Sequence, residues 1–261
     1  MQGDIFVKKR TSSLIFLVLL CVLTFGSIVI TRFDVAKGLT SFFKAFMWGI
    51  SNFYPDAASL TKLAGLLKKL WDTVLASIAS TMAAAVFALF LSLAGSRTTR
   101  PNGFFTLISR GIASLFRNIP LVAWAMILML AFSQSEITGY LALFCGSLGF
   151  LTRAFMETVD EVGGSSVEAL RATGANYFHT IFQAVLPAGL PQMVSWLLFM
   201  IETNIRDATL VGILTGTGIG FSFDLYYKSL NYHAASLVVI LIVILVIAIE
   251  FISNKIRRVI L

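Results

Sequence analysis

Glu202, Arg206 and Asp207 stand inside a stretch, Gln192 to Leu214, that is otherwise mostly apolar. A charge at the centre of a membrane-spanning helix costs about 3 kcal/mol on insertion scales, so such residues turn to a partner, the protein interior or a water-filled path. Glu202 precedes Arg206 by four residues, the order and spacing that let a carboxylate and a guanidinium pair on one helix face. At 100° per residue Ser195 and Thr209 fall on that same face and complete a polar stripe, while Asn204 and Asp207 point elsewhere. Counted from Gln192, Glu202 lies about 15 Å along the helix, near mid-depth. Two chemistries fit the stripe. It can be an ion pair that fixes helix packing, or it can line a translocation path whose arginine attracts an anionic solute. The candidates for the path are Ser195, Glu202, Arg206 and Thr209.

Enzymatic chemistry has little material in this chain. The two histidines, His179 and His233, are far apart and suit interfacial positions, and Cys21 and Cys145 both lie within apolar runs. No catalytic residue, metal site, disulfide or cofactor is therefore expected. A phosphate-binding G-x-x-x-x-G-K-[ST] loop is absent, so ATP hydrolysis by that route is not expected of this chain.

A second group of residues, from Glu168 to Pro187, has spacing of its own. Ser165 followed by Glu168 has the form of a capping box at a helix start. Val167, Leu170, Gly174 and Phe178 recur at helical intervals and predict one apolar stripe. Gly174 can adopt the left-handed conformation that ends a helix, and Pro187 bars continuation without a break. The pattern predicts a helix, a break at Gly174, a further turn or two, and a new start after Pro187.

The elements that must carry these residues are set by composition. Of 261 residues 57% are hydrophobic and only 13% charged, against about 25% in a soluble domain. This is a multi-pass, all-α membrane protein. A hydrocarbon core of about 30 Å needs roughly 20 apolar residues per helix. Six spans are read by that measure: 14–30, 71–94, 112–132, 137–151, 192–214 and 234–251. The first lacks a small-residue cleavage site and is read as a retained span. Six spans place both termini and the 152–187 loop on the cytoplasmic side. The net charge of +7 does not point to nucleic acid, because it gathers at span ends: Lys8, Lys9 and Arg10, then Arg97, Arg100, Arg110 and Arg117, then Lys255, Arg257 and Arg258. These are positive-inside anchors facing anionic lipid. The connection 32–70 carries lysines on the opposite side, and Leu63, Leu66, Leu67 and Leu70 predict a helix lying in the interface there. Residues 1–70 thus form a first helix with an interfacial segment, and 71–261 a transport core. Gly212, Gly216, Gly218 and Gly220 read as a flexible outward-facing turn rather than a phosphate loop.

The 168–187 segment resembles the coupling loop of ABC-importer permeases, whose pattern is E-A-A, three residues, G, nine residues, then I-x-L-P. Glu168, Ala169, Gly174, Leu186 and Pro187 fall on it, while Leu170 replaces the second alanine and Ala184 the usual isoleucine. Two further strings, Arg171-Ala-Thr-Gly-Ala-Asn176 and Ile201-Glu-Thr-Asn-Ile-Arg-Asp-Ala-Thr-Leu-Val-Gly212, are similar to those of the phosphonate-uptake branch. That likeness covers roughly residues 150 to 261, and the general permease likeness reaches back to about Trp71. The resemblance implies a type I importer permease in a bacterial cytoplasmic (inner) membrane. It implies a homodimer of two permease copies, two separate ATPase subunits that carry the ATP and Mg, and an extracytoplasmic substrate-binding protein. It also implies ATPase coupling through Glu168, Ala169, Gly174, Leu186 and Pro187, and a cargo of phosphonate, phosphite or phosphate. A methionine or osmolyte permease is the nearest alternative, and a secondary transporter a more distant one.

Overall fold

A computed structural model describes the backbone of residues 2–260, and the side chains of these apart from residues 2–8, 165, 166 and 171. The Lys8 and Arg171 side chains and the Ser165 hydroxyl therefore lie outside the described residues. The chain divides into two compact units at Phe53–Tyr54, so residues 54–70 go with the transport core and not with the first helix as the sequence suggested.

The first unit holds α1 (Gln2–Thr31) and α2 (Val35–Asn52). Asp34 caps α2, its Oδ1 accepting from the Lys37 backbone N–H at 2.9 Å. Helix α2 is strongly amphipathic and buries none of its residues within the unit; Leu39, Phe42, Phe43 and Phe46 are all exposed.

The second unit is built on four long helices: α4 (Leu63–Gly95), α7 (Glu136–Ala172), α9 (Leu186–Thr215) and α11 (Tyr232–Ile260). A short α3 (Ala57–Leu60) precedes them, capped by Asp56. Leu63–Leu70 is not a separate interfacial helix. It is the first two turns of α4, because nothing between Leu70 and Trp71 breaks a helix. Its Leu66 and Leu70 are buried with Ile219, Leu237 and Val238, a destination the local pattern could not reveal.

The expected third span, 112–132, is two helices. Helix α5 (Gly103–Asn118) and α6 (Leu121–Phe132) meet at 94°. Pro120 has no N–H and holds Ile119 extended, at φ −87°, ψ 120°, so the helix must end there. Trp124 fixes the corner by stacking on Phe116 at 5.0 Å and donating from Nε1 to the Phe116 carbonyl at 3.3 Å. Helix α6 has 12 residues and is about 18 Å long, short of a hydrocarbon core. Among the described residues five helices are long and apolar enough to cross a membrane, six if the bent pair counts as one span.

The packing between α4 and α7 rests on small side chains. Ser77, Thr81, Ala84, Ala88, Ser92 and Gly95 recur every three or four residues and are buried on one face of α4. In lipid there is little hydrophobic drive between helices, so close backbone approach and polar contacts carry the association. Leu148, Leu151, Phe155 and Val159 of α7 fill the space opposite, with Met193 and Met200 of α9. Asn204 sits at the centre, 1% exposed. Its Nδ2 donates to Thr81 Oγ1 at 2.7 Å and Ser147 Oγ at 2.6 Å, and its backbone carbonyl accepts from Ser77 Oγ at 3.3 Å. One side chain thereby ties α4, α7 and α9 together.

The glycine run is a packed corner, not a flexible turn. Gly216, at φ +71°, ends α9 in the left-handed conformation, and α10 (Gly218–Lys228) folds back along it. A Cβ on Gly220 would stand 2.0 Å from the Thr209 carbonyl oxygen, and one on Gly212 would stand 2.5 Å from that of Thr217. Only glycine permits that approach. The Ile219 N–H donates to Thr73 Oγ1 at 3.0 Å, so that donor of the corner is already engaged.

Candidate functional site: a coupling segment and a charged bridge

Helix α7 continues 21 residues beyond the expected fourth span and ends at Ala172, just before Gly174. Gly174 takes φ +82° with open space around it, and the Ala175 N–H returns to the Leu170 carbonyl at 3.1 Å. This is the left-handed helix end predicted from sequence. Asn176 then starts the short α8 (Tyr177–Thr180), its Oδ1 accepting from the His179 N–H at 2.9 Å.

The rest of the segment departs from expectation in two ways. The backbone is helical through residue 165, so Ser165 and Glu168 lie inside α7 and form no capping box at a helix start. Nor does Pro187 begin a new helix. A wide π-helical turn, Ile181–Val185, runs from α8 directly into α9, and the chain is helical from Tyr177 to Thr215. The wide turn ends at Val185, two residues before Pro187, which has no N–H to donate to that preceding turn.

Of the residues on the coupling pattern, Glu168, Ala169 and Pro187 are exposed, Leu186 is half-buried, and Gly174 is exposed at the break. Val167, from the expected apolar stripe, is buried with Val185, whereas Phe178 beyond the break turns outward. Phe178 and Phe182 are 67% and 64% exposed, with Tyr177 beside them at 38%. This aromatic cluster follows the Gly174 turn.

The charged stripe is assembled differently from the sequence estimate. Glu202 is 8% exposed, and its Oε1 accepts from Arg206 Nη2. Its Oε2 faces Arg257 Nη2, from α11, at 3.4 Å. Glu202 therefore bridges two arginines on two helices. Arg206 keeps half of its side chain exposed, while Arg257 is 24% exposed. Ser195 and Thr209 are half-buried, and Thr209 Oγ1 donates to the Arg206 carbonyl at 2.7 Å. Arg257 was read as a lipid anchor, and no spacing could have linked it to a residue 55 positions away. Its place in the last turns of α11, next to Arg258, puts Glu202 level with the C-terminal end of that helix.

The two histidines are local. His179 Nδ1 lies 2.9 Å from Asn176 Oδ1, and His233 Nδ1 lies 2.7 Å from the Tyr54 carbonyl.

Comparison with known proteins fits this arrangement. Residues 88–260 match the family described as binding-protein-dependent transport system inner membrane component. The phosphate-import permease protein PhnE of Mycolicibacterium smegmatis is 29% identical over 71% of this chain. The match spans only 35% of that relative's length. The phosphite transport system permease protein PtxC of Stutzerimonas stutzeri is 29% identical over 74% of this chain and 70% of its own. Among solved structures, an inward-facing form of the MetNI methionine ABC transporter aligns with a TM-score of 0.66 and 24% identity. It covers 75% of this chain and 96% of the matched one, and so shares the fold. The chain belongs to the binding-protein-dependent transport system inner membrane component family, and its fold is that of the type I permeases of ABC importers.

Proposed function

We propose that this permease carries a phosphorus oxyanion, namely phosphonate, phosphite or phosphate, inward as one half of a homodimer. Two ATPase subunits dock on the cytoplasmic side and a binding protein delivers the solute outside. The termini and the Gly174 turn face the cytoplasm. The observation that carries this reading is the exposed aromatic cluster of Tyr177, Phe178 and Phe182, which follows Glu168 and Gly174 in the chain. An exposed apolar group of this kind suits the groove of a partner protein. In this reading ATP bound by the partners draws the two coupling segments together and opens the outward side, and hydrolysis resets the inward state. ATP and Mg belong to the partners.

Arg206 lines the path. Its half-exposed guanidinium can meet an oxyanion, and Glu202 keeps the attraction shallow enough for release. The names of the two curated relatives support the cargo class. The test is uptake of labelled phosphite and methylphosphonate into vesicles holding the permease, its ATPase and its binding protein. Uptake should require enclosed ATP and all three components. Uptake by the permease alone without nucleotide would replace this reading with a secondary transporter.

A further inference from the structure

Below the α5–α6 corner, α5, α7 and the loop after α4 enclose two adjoining hollows of about 160 and 410 Å³ that share Arg110, Arg153 and Met156. Arg117 lines the first and Arg97 the second. Four guanidinium groups therefore face this cleft, against the carboxylates of Glu157 and Asp160. Both carboxylates are already engaged. Glu157 pairs with Arg153 at 2.5 Å, and Asp160 Oδ1 accepts from Ser96 Oγ at 2.5 Å and from the Thr98 N–H at 3.1 Å. Among the described residues no carboxylate lies within ion-pair distance of Arg97, Arg110 or Arg117. The Arg110 Nε is buried and has no hydrogen-bond acceptor. A buried charged donor without an acceptor marks a position that a ligand, ion or water completes.

The walls are built for permanence. A Cβ on Gly149 of α7 would stand 2.5 Å from the Arg117 backbone nitrogen, and one on Gly95 of α4 would stand 2.7 Å from Ser109 Cβ and from Met156 Sδ. Glycine at both places lets α4, α5 and α7 close on one another, so the cleft exists before anything enters it.

The surface beside the cleft says what fits. At 100° per residue, Arg110, Ser114 and Arg117 form one row along α5. Next round the helix come Leu107, Phe104, Leu115 and Ile108, all exposed. A cationic row beside an apolar one matches an amphiphile with an anionic head. We propose that this cleft holds the phosphodiester of an anionic phospholipid, with Arg110 and Arg117 on the phosphate and the acyl chains along the apolar row of α5. The site is separate from the Glu202 bridge and does not depend on the identity of the transported solute.

Native mass spectrometry of the detergent-purified chain, titrated with phosphatidylglycerol or phosphatidylcholine, tests it. One phosphatidylglycerol per chain should be retained above the phosphatidylcholine level. Arg110→Gln with Arg117→Gln should weaken that binding about 30-fold, from the roughly fivefold that each basic residue contributes near an anionic surface. Ser114→Phe, which leaves every arginine in place and fills the first hollow, should displace the lipid as well, guarding against a folding defect in the charge variant. Equal retention of both lipids, or unchanged retention in the two variants, overturns the proposal. So does displacement of the lipid by millimolar inorganic phosphate or methylphosphonate, which would make the cleft a site for free oxyanions.

Discussion

Replacing Arg206 and Arg257 by glutamine, singly and together, probes the bridge at Glu202. Arg206→Gln leaves Glu202 facing Arg257 at 3.4 Å, and Arg257→Gln leaves it bonded to Arg206. Because Arg206 is half exposed and Arg257 a quarter exposed, the loss of either pair should cost about 1 kcal/mol or less. The double variant is different. The Glu202 side chain is only 10% exposed, and stripping both partners leaves a buried carboxylate alone, at a cost of about 3–5 kcal/mol. The two substitutions should thus be non-additive by about 2 kcal/mol, and adding Glu202→Gln should recover most of the loss. Denaturant unfolding of the detergent-solubilised protein measures all four variants. Additivity to within about 0.5 kcal/mol would refute the bridge. Transport separates the roles further. Arg206→Gln should abolish or sharply reduce uptake at near-parent stability, whereas Arg257→Gln should keep most of it. Near-parent uptake in the triple variant, where no charge is left unpaired, would assign the group to packing and remove Arg206 from the path.

Other outcomes follow from the geometry. Gly174→Val meets no neighbour but forces a β-branched residue to φ +82°, at about 1–2 kcal/mol; with Glu168→Ala it should leave insertion intact and weaken ATPase docking in a pull-down, and normal docking by both would make the segment a plain connector. Gly220→Ala should destabilise by about 3 kcal/mol, because the carbonyl 2.0 Å away is backbone and cannot yield, whereas Gly65→Ala, with open space around it, should be neutral or stabilising in the same unfolding assay. Asn204→Ala removes two side-chain bonds between helices, each worth about 0.6 to 1.7 kcal/mol in a bilayer; a loss under about 0.5 kcal/mol would mean that Asn204 does not hold α4, α7 and α9 together.

What was legible in the sequence was local. The Gly174 helix end and the Glu202–Arg206 pair depend on residues within a few positions of one another, and both stand in the structure as the spacing implied. Helix ends set by tertiary contact were not legible. Nothing in Leu63–Leu70 says that its apolar side meets Ile219 and Leu237 rather than an interface. The glycine run was ambiguous for the same reason, since a flexible turn and a close backbone contact ask for the same residue. Two misses had signals. Ile119–Pro120 is a helix stop in the middle of the supposed third span, and the small residues from Ser77 to Gly95 repeat at helical spacing. Arg257 had none, because its partner is reached only through the fold.

The unbroken run from the coupling segment into α9 has a mechanical consequence. Helix α9 alone, 30 residues with Pro191 inside it, is about 45 Å long, with its near end beside the exposed aromatic cluster and Glu202 about 24 Å along it. A rod pivoted at one end converts a tilt of about 5° into a displacement of about 4 Å at the other, and about 2 Å at Glu202. The rod is pinned at two heights, by the Asn204 bonds and by the Gly212–Gly220 corner, so it cannot swing without carrying its neighbours. If a partner docks at Phe178 as proposed, force applied there would enter through the wide turn at Ile181–Val185 and act as leverage on a packed block of helices.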